Sequence, residues 1–377
     1  MFGRRVTLFK ILGFKVQLDV SWMFLAVLVT WSLARGYFPA HYLGLSDSTY
    51  WWMGTVGAIG LFGSIVFHEL AHSLVARHYG IPISSITLFI FGGVAQMEKE
   101  PPSPKAEFLM AIAGPISSFA LSAASYLAFE VGYQVQLPLS AIGVLGYLAF
   151  ANSLLGGFNL IPAFPLDGGR ALRAGLWHWK NDLRRATRWA SMAGSTFGFV
   201  LMMAGILHVI TGDFMVGVWW FVMGIFLREA AAASYYQMIA RTMLGGEPIR
   251  RFMTPNPMTV SSDLSLNEVV EEHFYRSLHD IYPVVENSRL IGCISSRQIA
   301  GIPREQWTRL TVRNVAVPCS KDNTVGIDTG ALAALSTMNR TGNSRLLVLD
   351  GDHLVGIVTL KDLMKLLALK LNLERVE

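Results

Sequence analysis

The chain has 377 residues, of which 52% are hydrophobic and 15% charged, with a formal net charge of +5 and two cysteines. Such a low charged fraction excludes an ordinary water-soluble protein of this length, and the length leaves room for two or three domains. No aromatic-interleaved basic stripe accompanies the positive balance, so a nucleic-acid partner is excluded as well.

In chain order, the N-terminus is basic (Arg4, Arg5, Lys10, Lys15) and lacks a small-residue cleavage site before the first apolar run. This predicts the cytosolic flank of an uncleaved span. Six segments are long and apolar enough to cross a bilayer, near 18–35, 52–78, 106–130, 139–161, 189–210 and 214–232, the last with a short apolar core. The connections near 36–50, 131–138 and 211–213 hold no Lys or Arg. Arg170, Arg173, Lys180, Arg184, Arg185 and Arg188 crowd the segment after Asp167. Positive residues stay inside, so the chain is predicted to cross the cell membrane six times with both termini in the cytosol. Residues 1–240 form the membrane domain on this reading. Residues 247–377 form a cytosolic α/β domain, and its Cys293 and Cys319, without metal or redox spacing, are expected as reduced thiols.

The second span contains His68-Glu69-Leu70-Ala71-His72. Two imidazoles one helical turn apart face the same way and can grip one zinc ion, with the intervening carboxylate free to act on water. Polar side chains in the middle of an apolar helix mark a functional interior. A hydrogen-bonded network between helices, without metal, is the alternative. His78 is expected at the interface near Arg77. Asp167 falls just past the inner end of the fourth span, at a similar depth to His68 and His72, and could complete a three-ligand site with an open position. By itself Asp167-Gly168-Gly169 is an ordinary turn signal. Pro162 and Pro165 interrupt the helix after Asn159, and irregular backbone at membrane depth predicts a cavity beside Asp167.

His68-Glu69-Leu70-Ala71-His72, with Asn159-x-x-Pro162-x-x-Pro165-Leu166-Asp167-Gly168, closely resembles the site-2 protease family of intramembrane zinc metalloproteases. Ser21-Trp22, Phe91-Gly92-Gly93 and Ala113-Gly114-Pro115 fit too, and the resemblance covers about residues 15 to 235. It implies one zinc per chain held by His68, His72 and Asp167, Glu69 as general base and acid, and Asn159 near the metal, stabilising the oxyanion. The substrates it implies are single-span membrane proteins, often membrane-tethered regulators already trimmed by another protease. No periplasmic-type peptide-binding domain is inserted between spans. Residues 81–97, β-branched and aromatic with a Gly-Gly turn, predict a hairpin after the motif helix. Its edge could pair with unwound substrate, or the hairpin could only seal the cavity.

Residues 249–303 and 312–370 repeat each other at a spacing of about 63 to 64, with Leu290-Ile291-Gly292 answering to Leu354-Val355-Gly356. Met253-Thr254-Pro255 and Gly356 through Asp362 resemble the tandem cystathionine-β-synthase (CBS) domain. That resemblance implies ATP or another adenine nucleotide as regulator, contacted by Thr359 and Asp362. The first repeat has Ser295 and Gln298 instead, which implies a single, asymmetric site. A homodimerisation module is the alternative. The fold class expected is thus a polytopic α-helical membrane protein of about six spans with a cytosolic tandem CBS domain. A CBS-gated transporter and a catalytically inactive membrane-binding relative are the competing functions. The spans show no inverted repeat, and Glu69 and the ligand candidates are intact.

Overall fold

A computed structural model describes residues 5–89, 92–97, 100–277, 280–287, 289–351 and 353–373. Phe91, one of the residues singled out in the hairpin, lies outside the described residues. The chain divides into two compact units, residues 1–236 and 237–377.

The first unit begins with two strands the sequence reading did not foresee, β1 (Arg5–Ile11) and β2 (Phe14–Asp19). Asp19 caps α1 (Val20–Ser32) by accepting from the Ser21 amide. The helical path continues through a π turn, Leu33–Tyr37, into α2 (Phe38–His41). Next comes α3 (Asp47–His78), capped by Ser46 and carrying the His-Glu-x-x-His motif. A hairpin of β3 (Ile83–Phe89) and β4 (Gly92–Met97) follows, as the β-branched run predicts. The four strands make one sheet in the order β1-β2-β3-β4. β2 and β3 run parallel, which requires the long crossover that α1 to α3 provide, and β4 ends the sheet as an edge. Phe14 and Ile86 from the sheet pack on Leu70 of α3. Arg77 near the end of α3 donates to the Leu12 carbonyl at 2.7 Å.

Two long helices, α4 (Pro104–Gln134) and α5 (Leu139–Asn159), complete the surroundings of the motif. After a loop with a cis Phe164–Pro165 bond comes a short helix, α6 (Asp167–Lys180), where the sequence showed only a turn and basic residues. α7 (Leu183–Ile210) and α8 (Phe214–Leu244) follow. Among the described residues, six helices are long and apolar enough to span a bilayer: Val20–His41, α3, α4, α5, α7 and α8. The sixth outruns its expected end at 232, because Arg228 and Glu229 end the apolar stretch without ending the helix. It reaches Leu244.

In the second unit β5 (Thr254–Pro255), β6 (Val260–Ser261), β7 (Ile281–Glu286), β8 (Arg289–Ser295) and β9 (Val317–Pro318) are followed by β10 (Thr324–Gly326), β11 (Arg345–Asp350) and β12 (His353–Thr359). The repeat read from sequence reappears in the register: Ile281↔Ser295 and Val284↔Gly292 recur as Arg345↔Thr359 and Val348↔Gly356, with a bulge after Val284 and after Val348. The sheets run β6-β7-β8-β9 and β10-β11-β12-β5. Each sheet is therefore completed by the leading strand of the other repeat, so the repeats interlock.

Candidate metal centre

α3 presents His68 and His72 one turn apart, both buried, at 3% and 5% exposure. Asp167, the first residue of α6, reaches them from far along the chain. Its Oδ2 lies 3.0 Å from His68 Nε2 and 3.1 Å from His72 Nε2, and the two Nε2 atoms are 3.1 Å apart. Only 13% of the Asp167 side chain is exposed, a narrow opening. These three side chains form a cluster able to hold a metal ion.

Local sequence explains how the carboxylate arrives there. α5 stops at Asn159 ahead of the two prolines, and residues 160–166 fold back against the first turn of α6. Gly168 and Gly169 permit that contact, since a Cβ would fall 2.2 Å from the Leu160 carbonyl oxygen at Gly168 and 2.4 Å from the Phe164 nitrogen at Gly169. Phe164 is held among Ala190 of α7 and Ala231 of α8. Farther along α6, Arg173 pairs with Glu107 of α4, both buried, and reaches Glu100 at 3.4 Å. Arg173 also sits 5.4 Å over the Phe164 ring. α6 is thus tied to α4 below the site.

The donor set fits a cation. His72 Nδ1 lies 2.6 Å from the Met110 carbonyl, which can only accept, so the Nδ1 carries the proton and Nε2 is left as a lone pair. His68 Nδ1 contacts Ser118 Oγ at 2.8 Å. The His72 Nε2 lone pair and the Asp167 carboxylate, turned on one another at 3.1 Å, repel unless a positive charge sits between them. Ligands of a tetrahedral zinc lie about 3.3 Å apart, close to the spacing found.

Glu69, half-buried on α3, feels the charges of His72, His68, Asp167 and Arg170. Asn159, expected near the metal, ends α5. Its amide donates back to the Leu155 carbonyl at 3.0 Å, since α5 stays helical to this residue, and among the described residues no hydrogen bond joins it to the ligand atoms. His78 stacks edge-on with Tyr79. Met110, Gly114, Ser118 and the Glu107–Arg173 pair went unread as site residues, though Gly114 stands in the quoted Ala-Gly-Pro.

In the second unit Thr359 and Asp362 contact each other: Asp362 Oδ2 accepts from the Thr359 amide at 3.1 Å and hydroxyl at 2.6 Å. This caps the helix Leu360–Leu373. Ser295 and Gln298 form the same capping box, so a glutamine serves there as well as an aspartate. A cavity of about 370 Å³ opens at the Ser295–Gln298 end, bounded also by Cys293, Asp322, Asn343 and Arg345. The site expected at Thr359 and Asp362 is therefore not where this cavity lies.

Comparison with known proteins adds to this. The profile described as "Peptidase family M50" matches residues 56–142 and 134–205, and that of the CBS domain matches 249–304 and 312–369. Rip3 of Mycobacterium tuberculosis is 34% identical over 365 residues, spanning 96% of this chain and 92% of its own length. Zinc metalloprotease MJ0392 of Methanocaldococcus jannaschii is 32% identical over 368 residues, spanning 97% and 96%. Among solved structures, the site-2 protease from Methanocaldococcus jannaschii aligns with 62% of this chain and 95% of its own, at 29% identity and a TM-score of 0.44.

Proposed function

This chain belongs to peptidase family M50, a zinc metalloprotease with a tandem CBS domain, and from that premise we propose that it cuts within transmembrane segments of single-span membrane proteins. The carrying observation is the convergence of His68, His72 and Asp167 in a unit whose six long helices make it a multi-pass membrane protein. A transporter leaves that convergence without a purpose.

In this reading His68, His72 and Asp167 would hold one zinc ion. Zinc, when bound, acidifies water and polarises a carbonyl. Glu69 takes the proton of the attacking water and returns it to the leaving amine, so a single carboxylate serves as base and then acid. Asp167, anionic and buried, balances the charge of the metal. Met110 and Ser118 keep the rings oriented, and the Glu107–Arg173 tie holds α6 against α4. β4 offers an open edge with β3 as its neighbour, suited to pairing with an extended, unwound substrate.

Loop charges favour a cytosolic position for both termini and the CBS unit. Reporter fusions at Ser46 and Gln136 are expected outside and at Asn181 inside; a reversed pattern overturns the orientation. The experiment for the function uses the purified chain in vesicles with a single-span substrate. Cleavage is expected with zinc, lost on chelation and restored by zinc. Cleavage that survives removal of zinc refutes the assignment.

A second reading concerns regulation and is favoured by the cavity of about 370 Å³ in the CBS unit. An adenine nucleotide there would contact Ser295, Asn343 and Arg345. If it binds one arrangement of the unit, or of a CBS-mediated homodimer, more tightly, its differential affinity shifts the population of active protease. Thr359 and Asp362 remain the competing location.

A further inference from the structure

α4 faces both motif histidines yet supplies none of the expected ligands. Met110, Gly114 and Ser118 recur at every fourth position and form one stripe along it. The stripe runs antiparallel to α3, so that Met110 meets His72 and Ser118 meets His68. Gly114, between them, has no side chain to hold the helices apart. Ser118 is fully buried, at 0% exposure, and the contact it makes bridges fifty residues of sequence.

The two contacts differ in one chemical respect. A carbonyl has no proton, so Met110 fixes the tautomer of His72 without a choice. A hydroxyl either donates or accepts, so the tautomer of His68 depends on which way Ser118 points. Were the serine to donate, the proton of the neutral ring would sit on Nε2, in the position a metal must take. We propose that Ser118 accepts the Nδ1 proton of His68 and thereby presents the Nε2 lone pair to zinc, as a positioning residue of the metal centre. The inference rests on the zinc reading above. It implies that the imidazoles are set from a single helix, α4, although all the proposed ligands lie on α3 and α6. Partners of this kind fix ring orientation and raise ligand basicity, and losing one weakens metal binding about 10–100-fold.

The test uses the full-length protein and measures zinc affinity by competition with a chromophoric chelator, together with the visible spectrum of the cobalt-substituted form. Ser118→Ala is expected to weaken zinc binding about 10–100-fold and to alter the cobalt spectrum. Ser118→Thr, which keeps the hydroxyl, should recover most of the affinity. Ser117→Ala is the control. Ser117 is buried on the same helix, but its hydroxyl donates to the Gly114 carbonyl at 2.7 Å, so its loss should leave affinity and spectrum unchanged. Wild-type affinity and spectrum in Ser118→Ala overturn the inference, and so does an equal loss in Ser117→Ala, which would mark a packing effect. Failure of the wild type to bind zinc refutes the metal reading itself.

Discussion

Gly114→Ala adds a single methyl group, and its effect can be worked from the geometry. The new Cβ would lie 2.2 Å from His72 Nε2, 2.5 Å from His68 Nε2 and 2.6 Å from His72 Cε1. Carbon and nitrogen rest at about 3.5 Å, so the shortfall is about 1 Å against both proposed ligand atoms at once. Neither ring can simply turn away, because each Nδ1 is bonded to α4 itself, at Met110 and Ser118. Two effects on stability oppose each other. Alanine is the better helix former by about 1 kcal/mol, while overpacking costs about 1–3 kcal/mol. The net loss of stability is then at most about 2 kcal/mol, whereas the ligand geometry is destroyed. Elemental analysis of purified protein should find Gly114→Ala depleted of zinc and inactive, with a melting temperature only modestly lowered. A variant that keeps one zinc per chain and full activity refutes the close packing of α3 on α4 on which the site depends.

Other expectations follow from single contacts. Glu107→Ala strips the buried Arg173 of its main partner, a change that costs about 3–5 kcal/mol in buried pairs. The cost should fall toward the lower end because Glu100 stays 3.4 Å from Arg173; thermal unfolding that matches the wild type contradicts the tie. Burial pushes the Cys293 thiol above its ordinary range, against a smaller opposing effect of Asn323. The thiol should then stay protonated at neutral pH and alkylate far more slowly than free cysteine until pH is raised or the chain unfolds. Labelling at the rate of free cysteine rules this out. Arg345→Ala should weaken adenine-nucleotide binding about 10–100-fold, the worth of a charge-assisted hydrogen bond, with Asp362→Ala near neutral. Calorimetry giving the reverse order moves the site to the Thr359 end.

The ligand candidates were legible because their signal is local and chemical. His68 and His72 lie one turn apart, and polar residues inside an apolar helix are costly enough to stand out. Asp167 was legible through the prolines that break the helix before it. Ser118 and Gly114 were not legible as site residues, because a small residue in an apolar helix reads the same whether it faces lipid, a neighbouring helix or an imidazole. The contact between Ser118 and His68 is set by how α3 and α4 cross, which no local pattern encodes. The first helical path ended later, at His41, and α8 ran farther than hydropathy suggested, because apolar runs report what the bilayer needs, whereas α8 continues through Arg228 and Glu229 without interruption. β1 and β2 were read as a basic flank because Arg5, Lys10 and Lys15 dominate the composition there, while the pairing that makes them strands is with each other and with β3. In the second unit the 64-residue register was legible because the repeat itself is sequence. The role expected of Asn159 came from a resemblance alone, and its side chain closes on the preceding turn.

The central claim is that Glu69 moves protons for a hydrolysis that His68, His72 and Asp167 prepare by holding zinc. The most direct measurement compares wild type and Glu69→Gln in vesicles carrying a single-span substrate, with zinc content determined on the same samples. The account predicts that the variant keeps its zinc and its fold and cleaves at least a hundredfold more slowly, within the range that general acid–base catalysis contributes, about 10²–10⁴. Cleavage by Glu69→Gln at the wild-type rate would contradict it.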